Sequence, residues 1–82
     1  MNSHCLGNVE EIYQQTMVGL VEQLKKRRQE KGLTQKQLSK LATIDTKTIQ
    51  KIETGKWLPS MRSLMLMSEA LDMTLFFDLR IK

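Results

Sequence analysis

Two short helical patterns lie only a few residues apart, and they limit the possible folds of this chain more than any other feature. They are QKQLSKLA, from Gln35, and TKTIQKIET, from Thr46. In the first, Leu38, Leu41 and Ala42 share one face, and Thr34 stands where an N-cap belongs. In the second, Ile49 and Ile52 point inward, Asp45 is placed to cap the start, and Gly55 is placed to close the end. Thr43 and Ile44 break the pattern between them, so the chain has room for a turn of three or four residues and nothing longer.

The flanking segments are helical as well. Val9, Ile12, Tyr13, Met17, Leu20, Val21 and Leu24 recur every three or four residues, forming an apolar stripe that can run to Lys31 before Gly32 stops it. Asn8, with Glu11 three residues later, resembles a capping box and predicts a helix start there. The stripe reads as one long helix or as two joined near Gly19. After Pro59 and Ser60, the segment MRSLMLMSEALD carries Leu64, Met67 and Leu71 on one stripe, widened by Met61 and Met65, with Leu66 well outside it. From Thr74 to Lys82 the period becomes two, with Leu75, Phe77, Leu79 and Ile81 on one side and Phe76 on the other, which predicts a strand. A lone strand leaves its backbone groups unpaired, so the same segment of a second copy is the expected mate in a two-fold dimer.

Composition narrows the classes of function. Of 13 basic residues, 11 lie between Lys25 and Arg62 against three acidic ones, while residues 1–24 hold Glu10, Glu11 and Glu22 and no Lys or Arg. So concentrated a positive charge suits a polyanion, with a solvated basic face as the plainer alternative. One Cys and one His provide neither an internal disulfide nor the four ligands of a structural zinc site, so no metal and no cofactor are expected. Neither a signal-peptide pattern nor an apolar run long enough to span a membrane is visible, and a reducing cytoplasmic setting is the expectation. No Ser-His-Asp or Cys-His set and no phosphate-cradling glycine loop points to an enzyme.

The segment GLTQKQLSKLATIDTKTIQKIETG resembles the helix-turn-helix of the phage repressor and Cro type, also called the xenobiotic-response-element family. Thr34-Gln35, Leu38, Thr48-Ile49, Ile52-Glu53 and Gly55 carry the match, which extends through Pro59 and Leu64 to about residue 72. The resemblance implies an all-α, lambda-repressor-like bundle of four to five helices, extended here by the C-terminal strand. It divides the chain into an extension at 1–19, a DNA-binding domain at 20–72 and a dimerisation strand at 73–82 bearing Leu75, Phe76, Phe77, Leu79 and Ile81.

In that arrangement the second short helix lies in the major groove and the first braces across the backbone. Gln35 and the free N–H groups beside it suit a phosphate. Thr46, Lys47, Gln50 and Lys51 fall on the outward face of the recognition helix, where lysine reads guanine and glutamine reads adenine. Thr48 is a further expected DNA-facing residue, and Lys36, Lys40, Thr54, Lys56 and Arg62 suit phosphates. Arg28 and Glu53 match family positions that form a structural ion pair.

Trp57 is expected in the core, between two packed helices. Two positions depart from the family. Thr43 stands where a glycine is usual and predicts a modified turn, and Arg27 stands where an apolar residue is common, so either the helix rotates or the side chain snorkels. The C-terminal MTLFFDL resembles HipB-type antitoxins, small repressors that dimerise through a C-terminal strand, control their own operon and bind a kinase-like toxin. The expected function is therefore a homodimeric repressor binding a palindromic operator in double-stranded DNA, as the antitoxin of a toxin–antitoxin pair. The alternatives are a stand-alone phage or plasmid regulator, or a protein-interaction module that has lost DNA binding.

Overall fold

The computed structural model describes residues 3–75, with side chains described from Val9 onward. Among these residues four helices follow one another: α1 (Ser3–Glu30), α2 (Gln35–Ala42), α3 (Thr46–Glu53) and α4 (Met61–Ala70). No strand occurs among the described residues. Thr74 and Leu75, expected at the start of one, are in irregular backbone, and Phe76, Phe77, Leu79 and Ile81 lie outside the described residues.

α1 is a single helix of 28 residues, unbroken at Gly19. Its backbone is already helical before Asn8, so Asn8 is an interior residue and not the cap that its spacing with Glu11 predicted. Propagating a helix adds one hydrogen bond per residue, and that gain outweighs the modest propensity penalties of Gly7 and Asn8. The C-terminal half of α1 packs on the body through Met17, Val21, Leu24 and Arg28. Arg27 leaves that packing unrotated, because its Nε snorkels to donate to the Leu71 carbonyl at 3.1 Å.

Capping fixes the two short helices. The Thr34 hydroxyl accepts from the Gln37 N–H at 3.0 Å while the Gln37 side-chain oxygen accepts from the Thr34 N–H at 2.8 Å, a complete capping box. Asp45 occupies the N-cap of α3, but its side chain makes no capping bond there, contrary to expectation. Ser60 caps α4 by accepting from the Ser63 N–H at 3.1 Å.

The helix ends follow one rule. Among the described residues, the four with positive φ are Gly32, Thr43, Gly55 and Asp72, and each lies at the end of a helix. Leu33, Ile44, Lys56 and Met73, each the next residue along, donate back five residues to Arg28, Ser39, Lys51 and Ser68. These bonds satisfy carbonyls that the helix ends would otherwise leave unpaired. Thr43 thus takes the left-handed conformation of a glycine, φ 57° and ψ 40°, so the turn keeps its geometry despite the β-branched residue. The Ser39 hydroxyl donates to the Ile44 carbonyl and braces the same turn. Beside Asp72, the Lys31 ammonium donates to its carboxylate and holds that group below its ordinary pKa.

Leu38, Ile49, Ile52, Leu64, Met67 and Leu71 form the centre of the core, drawn from every helix after α1 and sealed by α1 itself. Beyond α1, three apolar residues depart from the sequence pattern. Leu41, expected to share the buried face of α2, is exposed, because Leu38 and Ala42 already fill the contact with α3 and α4. Leu66, expected outside the α4 stripe, is half-buried against the core. Trp57, expected inside, is 51 % exposed.

Candidate nucleic-acid interface

A three-residue turn, Thr43 to Asp45, separates α2 from α3, and the apolar residues Leu38, Ala42, Ile49 and Ile52 lock the two helices together. With Ile49 and Ile52 committed inward, helical periodicity turns Lys47, Gln50, Lys51 and Thr54 outward on one side. Lys47, Gln50, Lys51 and Thr54 converge with Gln35 from the start of α2 and Lys56 from the following loop on one concave surface. Three ammonium groups and two amides face that surface, which can therefore donate hydrogen bonds to phosphate oxygens or base edges. Thr46 and Thr48 are half-buried beside it, and Lys36 is exposed on α2.

The carboxylate on α3 is neutralised from behind. Arg28 donates to Glu53 through both Nε–Oε2, 2.8 Å, and a terminal nitrogen to Oε1, 2.9 Å, and a further guanidinium N–H reaches the Leu33 carbonyl at 2.7 Å. The Glu53 side chain is 1 % exposed and that of Arg28 11 %, so the pair sits within the body and ties α1 to the end of α3. A fork-to-fork arrangement of this kind satisfies both charges and spares the basic surface an uncompensated anion.

Two contacts at this site have no counterpart in the sequence pattern. The Gln35 amide donates to Glu53 Oε1 at 3.0 Å, so the Arg28–Glu53 pair also orients the side chain at the start of α2. Its second N–H and its carbonyl remain for a ligand. The Thr54 hydroxyl donates to the Gln50 carbonyl at 2.8 Å, which commits its proton to the backbone and leaves its oxygen as an acceptor. Nothing in the local sequence encodes the first contact, since Gln35 and Glu53 are 18 residues apart and meet only when the helices pack.

No group of three or more His, Cys, Asp or Glu is placed to hold a metal ion among the described residues. No helix among them is long and apolar enough to cross a membrane.

Residues 24–77 match the helix-turn-helix family model of the Cro type. No curated protein and no solved structure matches the chain. The matched region spans α2, the turn, α3 and α4 together with the last turns of α1 from Leu24, and it leaves out the buried Met17 and Val21 of that helix. The chain belongs to the Cro-type helix-turn-helix family, a family of DNA-binding regulatory domains.

Proposed function

We propose that this protein is a sequence-specific transcriptional repressor that binds a palindromic operator as a homodimer. The observation that carries the reading is the concave surface on which Lys47, Gln50 and Lys51 meet Gln35 and Lys56, with Glu53 held out of play by Arg28. Residues 20–72 act as the DNA-binding domain, residues 1–19 as a helical extension and residues 73–82 as the dimerisation segment. In the complex, α3 enters the major groove and α2 braces against the backbone. Lys47 and Gln50 read bases, and Gln35, Lys36, Thr46, Thr48, Lys51, Thr54 and Lys56 contact phosphates or support those that do.

Two such domains related by a two-fold axis read half-sites about 34 Å apart, one turn of DNA. The exposed Met61 and Met65 on α4 supply apolar surface for the mate. The resemblance of MTLFFDL to HipB-type antitoxins supports the narrower role of an autoregulating antitoxin with a kinase-like toxin partner in the cytoplasm. A kinase-like reading frame beside the gene is the observation expected on that view.

The test is a library of operators differing by single base pairs, assayed with Lys47→Ala and Gln50→Ala. Each good base contact contributes about 1–3 kcal/mol of discrimination, so each variant should relax preference at one or two positions. A uniform loss at every position, or no loss, overturns the assignment of α3 as the reading helix.

A further inference from the structure

We propose that Trp57 is a positioning residue for DNA binding, holding the Lys51 ammonium at the rim of the basic surface. The inference rests on the DNA-binding reading above and adds to it a residue outside the recognition helix.

Lys51 Nζ lies 4.1 Å from the centroid of the Trp57 ring, well within the range of a cation–π contact. The backbone makes that contact possible. The Lys51 carbonyl accepts both the Lys56 N–H at 2.9 Å and the Trp57 N–H at 3.1 Å. Gly55, at φ 81°, reverses the chain between them. The loop after α3 is therefore anchored to the residue whose side chain its tryptophan covers.

Trp57 itself does not line the basic surface. It lines a neighbouring cavity with Met17, Val18, Val21, Leu58 and Pro59, and Thr54 borders both. The Trp57 residue is about half exposed, and the Lys51 ammonium lies against its ring.

A lysine loses rotamer freedom when it engages a phosphate. A ring that already restricts the side chain removes part of that loss from the binding step. Among the described residues, Lys51 is the one cation held over an aromatic ring, which separates it from Lys47 on the same face of α3. This arrangement assigns Lys51 to a fixed phosphate contact and leaves base reading to Lys47 and Gln50.

The experiment is a double-mutant cycle on a short mixed-sequence duplex, titrated over a range of salt concentrations, with circular dichroism confirming that each variant is folded. Trp57→Leu should weaken binding about two- to fivefold, and Trp57→Phe should retain most of the affinity. Because Lys51 is still present in Trp57→Leu, the salt slope should not change. Lys51→Ala should flatten the slope by about 0.9, one phosphate contact, and Trp57→Leu should cost nothing further in that background.

In the DNA-free protein, the Lys51 ε-methylene protons should show an upfield ring-current shift in wild type and Trp57→Phe that disappears in Trp57→Leu. The proposal is overturned if Trp57→Leu binds like wild type, if its loss is the same with and without Lys51, or if the wild-type shift is absent. Failure of the wild-type protein to bind duplex at all overturns the DNA-binding reading as well.

Discussion

Arg28 and Glu53 lie 25 residues apart in the chain, yet their four closest polar atoms form two parallel hydrogen bonds inside the body. Arg28→Met leaves the Glu53 carboxylate buried without its partner and should lower unfolding free energy by about 3–5 kcal/mol in urea titrations. Adding Glu53→Leu to that variant removes the stranded charge and should restore much of the loss; a double variant as unstable as the single one would contradict this account. Thr43 makes the opposite case. An L-residue in the left-handed region costs about 1–2 kcal/mol, while glycine's extra freedom in the unfolded chain offsets about 0.4–1 kcal/mol. Thr43→Gly should therefore raise the urea midpoint, by about 0.5–1 kcal/mol in stability, with no effect on the turn's shape.

At the scale of elements, the helices divide between those made by local sequence and those made by contact. The α2 cap is written locally, as Thr34 and Gln37 stand three residues apart and bond to each other wherever that helix forms. In α1 the same apolar stripe serves two environments. Met17, Val21 and Leu24 are buried, but Val9, Ile12 and Tyr13 on the continuing stripe are about half to two-thirds exposed. Deleting residues 1–13 should therefore change the stability of the helix-turn-helix body by less than about 0.5 kcal/mol, measured by urea unfolding of dilute protein. A larger loss at low concentration would show that the extension packs on its own body. The periodicity of α1 could not separate its two halves, because pattern reports which face is apolar and not how far along the helix a neighbour reaches. Leu41 and Trp57 were illegible for the same reason.

For the whole molecule, the operator reading requires two copies. The segment 73–82 is proposed to join them, because its alternating apolar residues suit a strand whose backbone groups would need a mate across a two-fold axis. Removing residues 74–82 should shift the protein from dimer to monomer in sedimentation experiments and should weaken operator binding more than binding of a single half-site. An unchanged dimer after that deletion would place the interface elsewhere, with the exposed methionines of α4 as the next surface to vary.

The sequence alone determined the helical class, the two short helices and their turn, the ends at Gly32 and Gly55, and the outward face of α3, because periodicity and capping are local properties of the chain. Tertiary structure decided how those parts met. It bound Gln35 to Glu53, left Leu41 and half of α1 uncovered, and set Trp57 against Lys51 at the surface. It also held Thr43 in a left-handed conformation that a β-branched residue resists. Each of these depends on which neighbour arrives at a site from elsewhere in the chain, and the packing of the completed core supplies the free energy that outweighs such local costs.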